Sequence, residues 1–286
     1  MSNRVFITGG RGFTGSCLFS LLQCNDWELW RYEGDILNYQ DILRDIKYFR
    51  PSHLVHLAAI SSVVHANAVD YHLVNVLGTR NVLRALVDSN LELNCVLLPS
   101  TSNVYGNKLE VISENNIPEP ISDYAKSKLK MEILANHYTS KMPIVITRPF
   151  NYTGVGQSTS FIIPKLVRAF ALKEKNVKLG NLYVQREYND VRDVCRIYEM
   201  ILNMDNSSKT INICSGVTYS LDNVIKLLNE ITDHFIDVEI DQGLIRQNEI
   251  FKLNGDTSYL NSIIGNFNFI GLRETLHWML KNYSYN

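Results

Sequence analysis

Apolar positions in this chain fall into two alternating rhythms. Short runs at 5–8, 27–32, 53–59, 94–99 and 143–147 are dense in Val, Ile, Leu and Phe, and each fits a strand. The run His53-Leu54-Val55-His56-Leu57-Ala58-Ala59 is apolar enough to be buried on both faces. Between these runs, 15–24, 39–50, 70–88 and 124–138 repeat apolar residues at helical spacing, as in Leu73, Val76, Val82, Leu83 and Leu86. Strand–helix alternation of this kind predicts an α/β fold, a doubly wound parallel sheet joined by right-handed crossovers.

After Arg148-Pro149 the rhythm becomes irregular. Helical pattern returns at 161–173, 191–202, 221–232 and 272–282, and strand pattern at 176–179 and 210–214. The expected division is a sheet domain over 1–150 and a smaller lobe over 151–286, with 182–215 returning to the first domain's core. That lobe is expected against the sheet's carboxyl edge, where open α/β sheets bind ligands.

Composition adds mostly exclusions. The 286 residues are 45% hydrophobic, enough for a large core, and carry a net charge of -1. That balance gives no reason to expect nucleic acid or an anionic membrane as partner. Five scattered cysteines form neither a CxxC pair nor a His/Cys cluster of zinc spacing, so no metal is expected. The chain opens directly on a strand, and no apolar run approaches the roughly 18 residues of a membrane span. A cytoplasmic protein is expected.

Chemistry enters directly after the first strand, at Gly9-Gly10-Arg11-Gly12-Phe13-Thr14-Gly15. Glycines there allow a tight turn and close approach of backbone N–H groups to a pyrophosphate, and the helix that follows points its positive end at the same charge. This placement predicts a dinucleotide site of Rossmann type. No acidic residue is evident at the end of the second strand, Glu28-Leu29-Trp30-Arg31-Tyr32, to hold a ribose 2′-hydroxyl. Arg11 and Arg31 fit a 2′-phosphate instead, which favours NADPH over NADH, the competing reading being two solvated surface charges.

Further along, Tyr124-Ala125-Lys126-Ser127-Lys128 opens a helix with Tyr and Lys at i and i+4, on one face. An ammonium beside a phenol lowers its pKa from roughly 10, so Tyr124 can exchange a proton with a hydroxyl or carbonyl. The fourth strand ends in Ser100-Thr101-Ser102-Asn103-Val104-Tyr105-Gly106, which offers a hydroxyl for the same oxygen.

Taken in order, the loop at 9–15, Leu57-Ala58-Ala59, Asn75-Val76-Leu77-Gly78-Thr79, Thr101 with Val104-Tyr105-Gly106, Tyr124/Lys128 and Arg148-Pro149-Phe150-Asn151 resemble the extended short-chain dehydrogenase/reductases, which act on nucleotide sugars. The resemblance covers nearly the whole chain. It implies that Thr101 and Tyr124 contact the reacting oxygen, while Lys128 holds the nicotinamide ribose. Gly9, Gly12, Phe13, Thr14, Gly15, Asp35, Ile36, Leu57, Ala58, Ala59, Asn75 and Pro149 then border the cofactor. Read without the resemblance, Asp35 could simply cap the following helix. Homodimers built on paired helices, here 70–88 and 124–138, are also implied. His65 and His72 fall near the cleft by the same resemblance, whereas His53 and His56 read as core histidines.

In the second half, Lys178-Leu179-Gly180-Asn181, Arg186-Glu187-Tyr188 and Arg246-Gln247-Asn248-Glu249 look like the group that reduces GDP-4-keto-6-deoxymannose. That likeness implies that Leu179 borders the base, Arg186 and Arg246 clamp the diphosphate and Glu249 meets the nucleotide ribose; the family resemblance has Asn151 reach toward the sugar diphosphate, and Ser102 and Asn103 are expected among the substrate-binding residues. Two arginines suit a dianionic pyrophosphate in a nearly neutral protein.

Position 103 bears on the reaction. The 4,6-dehydratases that resemble this chain carry a carboxylate there, and an amide cannot ionise. Reduction of a nucleotide-linked 4-keto-6-deoxyhexose, GDP- or dTDP-linked, is the economical expectation. The alternatives are a nucleotide-sugar 4-epimerase and a non-catalytic NADP(H)- or sugar-nucleotide-binding regulator.

Overall fold

The computed structural model describes residues 3–61, 67–108, 110–204, 207–245 and 250–283. The chain begins with β1 (Arg4–Thr8), α1 (Phe13–Cys24), β2 (Glu28–Tyr32), α2 (Tyr39–Phe49) and β3 (His53–His56). Next come α3 (Ala68–Tyr71), a π-helical stretch (His72–Gly78), α4 (Thr79–Asp88) and β4 (Cys95–Pro99). A 3-10 turn (Ser102–Tyr105), α5 (Asp123–Asn136) and β5 (Ile144–Pro149) follow. Beyond them lie β6 (Tyr152–Thr153), α6 (Ile162–Ala171), β7 (Asn176–Leu179), β8 (Gln185–Arg186), β9 (Asn189–Asp190), α7 (Val191–Leu202) and β10 (Lys209–Ile213). The rest is β11 (Tyr219–Ser220), α8 (Leu221–Thr232), β12 (Asp237–Ile240), β13 (Lys252–Leu253), α9 (Ser258–Ile264) and α10 (Leu272–Lys281).

Among the described residues, six strands form one parallel sheet in the order β10-β5-β4-β3-β1-β2. Strand order reverses at β1, so Thr8 and His56 end neighbouring strands at the switch point where Rossmann-type sheets bind nucleotides. The β3, β4 and β5 strands are buried along their whole length, which explains why their central residues are apolar. Ile42, Ile46 and Phe49 of α2, Val82, Leu83 and Leu86 of α4, and Met131 and Ala135 of α5 complete a core over Phe6, Leu54, Val96 and Ile144.

The stretch expected as one helix over 70–88 is interrupted. Residues His72–Gly78 widen into π geometry, which carries Asn75 and Val76 inward and seats Gly78 against the Ile36 side chain. A 3.6-residue period carries no sign of such a local change.

The contacts divide the chain into two compact units. One holds 1–106, 114–149 and 195–213, and therefore the whole six-stranded sheet. The other holds 107–113, 150–194 and 214–286. In the second unit α6, α8 and α10 enclose a core of Ile163, Val167, Val177, Val224, Leu228 and Leu276. Ser220 and Asn223 form a reciprocal cap that starts α8. The buried carboxylate of Glu187 ties three segments of that unit together. It accepts N–H bonds from Ser215 (2.7 Å) and Gly255 (2.8 Å) and from the Asn189 amide (3.1 Å). Burial pushes its pKa up, and these donors oppose that shift.

No helix among the described residues is long and apolar enough to cross a membrane. No group of three or more His, Cys, Asp or Glu side chains among them could hold a metal ion.

Candidate active site

The glycine loop joins β1 to α1, and its sequence is dictated by contact. Gly9 has φ 68°, and a Cβ there would fall 2.5 Å from the Ala58 nitrogen. A Cβ on Gly15 would fall 2.2 Å from the Gly9 carbonyl oxygen. Gly12 N–H donates to that carbonyl at 3.0 Å, closing the turn, and Gly12 N-caps α1 with no side-chain cap. Buried Thr14 accepts a weak bond from Cys195 Sγ on its carbonyl (3.8 Å). The loop thus offers backbone and helix terminus to a ligand, the arrangement a pyrophosphate needs.

At the end of β2 the structure amends the sequence reading. An acidic residue is present after all. Glu33, one residue past the strand, accepts from Arg11 Nε (2.8 Å) and Nη2 (2.5 Å). Arg11 is therefore neutralised locally. Arg31 packs its aliphatic stem on Gly10 and its guanidinium 3.9 Å over the Phe19 ring, and its buried Nε has no hydrogen-bond partner. An orphaned guanidinium nitrogen beside the glycine loop fits a further anionic group there. Asp35 makes a turn by accepting Leu37 N–H (2.9 Å), while Asn38 rather than Asp35 caps α2, accepting Asp41 N–H. The side chain of Ile36 is core, packed on Gly78.

The residues expected to react share the first unit with this loop. Thr101 lies just beyond β4, caps the 3-10 turn by accepting Asn103 N–H at 3.2 Å, and so keeps its own O–H for another acceptor. Ser122 caps α5, accepting Ala125 N–H (3.2 Å), and Tyr124 and Lys128 then rise one turn apart. Both are buried, Tyr124 at 8% and Lys128 at 4% exposure. The Tyr124 ring centroid lies 6.0 Å from that of Tyr71. Lys128 Nζ meets only the weak acceptor Met131 Sδ, at 3.7 Å, among the described residues. Burial lowers its pKa to about 8, against an upward pull from Glu132. A buried ammonium without an oxygen partner is poised for a hydroxyl or phenolate ligand.

A continuous set of buried hydrogen bonds runs from β1 to this helix. Thr79 O–H donates to the Asn75 carbonyl (2.8 Å), so His56 Nε2–H donates to Thr79 Oγ1 (2.9 Å). His56 Nδ1 then accepts from Thr8 O–H (2.7 Å), whose oxygen takes Ala58 N–H (3.3 Å). Asn75 binds both backbone groups of Ile60 and donates to Ser127 Oγ (3.0 Å), which donates to the Tyr124 carbonyl (2.7 Å). Burial, then the nearby Lys128 cation, lowers the His56 pKa to about 3. His53, beside Ser52 and the edge of Trp27, is pushed down to about 4. Both are core histidines, as their alternation on a strand suggested. Asn75, at 1% exposure, uses both amide hydrogens and one oxygen lone pair to hold Ser127 and residue 60.

In the second unit, Asn151 is exposed, and its carbonyl accepts Asn189 N–H (2.9 Å). Arg186 donates to the carbonyls of Gln185 (2.8 Å), Phe251 (3.4 Å) and Ile250. Leu179 ends β7. Its side chain is core, at 1% exposure, because β7 alternates outward and inward positions and Leu179 falls inward. Arg246, Glu249 and His65 lie outside the described residues, and His72 is exposed at the start of the π-helical stretch.

Residues 5–214 match the family model described as "NAD dependent epimerase/dehydratase family". The chain belongs to the NAD-dependent epimerase/dehydratase family. It is 35% identical to GDP-6-deoxy-D-talose 4-dehydrogenase of Aggregatibacter actinomycetemcomitans, over 98% of this chain and 97% of that protein. It is 30% identical to GDP-6-deoxy-D-mannose reductase of Pseudomonas aeruginosa, over 99% and 98%. A solved structure of RMD from Pseudomonas aeruginosa complexed with NADPH is 30% identical and superimposes with a TM-score of 0.90, covering 98% of this chain and 97% of that one.

Membership in the epimerase/dehydratase family makes the chain an NAD(P)-dependent oxidoreductase. Two features beside the candidate site residues are not evident in the sequence. Glu33 lies one residue past the end of β2. The second is the bidentate pair between Glu132 and Arg148, with Nε–Oε1 3.0 Å and Nη2–Oε2 2.6 Å. Glu132 stands one helical turn after Lys128, and that spacing was the available signal for it.

Proposed function

We propose that the chain reduces a GDP-linked 4-keto-6-deoxyhexose at C4, using NAD(P)H. The observation that carries this reading is a buried Tyr124–Lys128 pair and a capping Thr101 in the unit that holds the glycine loop, with an amide at position 103. Bound nicotinamide supplies the hydride. Tyr124 gives its phenolic proton to the C4 oxygen, Thr101 O–H donates to the same oxygen, and Lys128 holds the phenolate that results. Asn103 has no proton to exchange at neutral pH, so nothing at that position supports loss of water from the sugar.

The two curated relatives support the sugar and the base, since both are named for GDP-linked 6-deoxyhexoses. Talose and mannose differ in configuration at C4, which is the carbon this chemistry sets. The higher identity to the talose enzyme favours the talo product. Arg186 in the second unit is proposed to meet the diphosphate, together with Arg246.

The test supplies GDP-4-keto-6-deoxymannose, formed by a separate dehydratase, with NADPH or NADH. Loss of absorbance at the nicotinamide band and, by NMR, the small H4 couplings of an equatorial H4 in the talo sugar are expected, whereas large H4 couplings would mark the manno product. Tyr124→Phe should lower turnover by roughly two to four powers of ten while binding cofactor normally. Release of a 4-keto sugar from GDP-mannose by the protein alone would overturn the reductase reading.

A further inference from the structure

Four residues after Lys128, on the same face of α5, stands Glu132, and both are buried. Lysine and glutamate at this spacing ordinarily pair, and burial strengthens that attraction. Here they do not. Both Glu132 oxygens are taken in a fork by Arg148 from β5, while among the described residues Lys128 meets only Met131 Sδ. Arg148 is itself fixed. Its guanidinium lies 4.8 Å over the Tyr105 ring, Tyr105 O–H donates to Asn212 Oδ1 (2.7 Å), and Asn212 N–H donates to Glu114 Oε1 (2.7 Å).

We propose that Arg148 is a positioning residue for the catalytic lysine, which holds Glu132 away so that the Lys128 ammonium stays available to the Tyr124 phenol. This inference rests on the catalytic assignment of Tyr124 and Lys128. A second lysine at 148 could not do the same work, because one ammonium cannot grip two oxygens in a plane. The charge acting on Lys128 is that of Glu132 on its own helix; neutral His56 from β3 feels the lysine in turn, and Arg148 from β5, with Tyr105 against it, holds Glu132. Burial is what depresses the lysine, and the charge of Glu132 opposes it. With its charge cancelled by Arg148, that opposition stays weak.

The experiment reads the lysine directly in the cofactor-free protein. Lysine labelled with carbon-13 at Cε is followed by NMR across pH 6–11, and Lys128→Met identifies the signal by its loss. Arg148→Met should raise the Lys128 titration by about one pH unit or more, because the freed carboxylate turns to the ammonium. Glu132→Gln should lower it, since an unbalanced guanidinium then faces the lysine. The double change Glu132→Gln with Arg148→Met should return it to within about half a unit of the parent. If Arg148→Met fails to fold, the comparison of Glu132→Gln with the double variant still decides, because the double variant carries no unpaired buried charge. A titration that does not move between these variants overturns the proposal. Retention of turnover in Lys128→Met would instead overturn the catalytic assignment, and the apo titration does not depend on that outcome.

Discussion

Single side chains decide cofactor choice and protonation in this molecule. Arg11 faces Glu33 across an exposed ion pair, 73% and 52% accessible, and such pairs are worth about 0–1 kcal/mol. A 2′-phosphate could therefore take Arg11 from Glu33 cheaply, while a 2′-hydroxyl would leave the pair intact and could reach the carboxylate. Arg31, stacked on Phe19 with an unpaired Nε, stands ready for the phosphate without any such competition. Arg31→Ala should accordingly weaken NADPH more than NADH, and Glu33→Gln should tighten NADPH by up to about fivefold. Fluorescence titration of both cofactors measures this. Equal changes for both would show that neither residue discriminates the 2′ position.

Elements place these residues, and here the sequence was legible to different depths. Strand and helix periods located β1, β4, α2 and α5 within a residue or two, because their apolar faces meet one core; β3 ends three residues before its apolar run does. The Gly9–Gly15 loop was legible because backbone contact leaves no freedom in composition. That tightness gives a prediction at this scale: Gly15→Ala forces its Cβ onto the Gly9 carbonyl, and the loop must shift. Cofactor affinity should fall at least tenfold, with the secondary structure by circular dichroism unchanged. Parent-like affinity would mean that the loop yields without cost. What stayed hidden depends on partners far along the chain. Asn75 is used by Ile60 and Ser127, the latter 52 positions away, and Glu132 by Arg148, 16 positions away on another element. No local pattern encodes such pairings. A motif match does not say which side of a strand its residue faces, so the inward side chain of Leu179 was not legible in it.

At the scale of the whole molecule, buried neutral histidines make stability depend on pH. His53 and His56 have folded pKa values of about 4 and 3, below the ordinary 6.5. Unfolding lets both take a proton, so their contribution is complete above pH 6.5 and falls as pH drops through that value. The slope is up to about 1.4 kcal/mol per pH unit for each. Urea unfolding at pH 7.5, 6.5 and 5.5 should show it, and His56→Gln should remove one histidine's share. Identical slopes for parent and variant would show that His56 is protonated in the native state. The return of β10 to the sheet has a consequence for biosynthesis. Until residue 213 has left the ribosome, β5 is an open edge led by Ile144, Val145 and Ile146 and able to pair with any other unfinished chain. A nascent chain stalled anywhere between 150 and 209 therefore exposes a sticky intermediate. Chaperone demand in the cell should peak in that window of translation and vanish once the last strand closes the sheet.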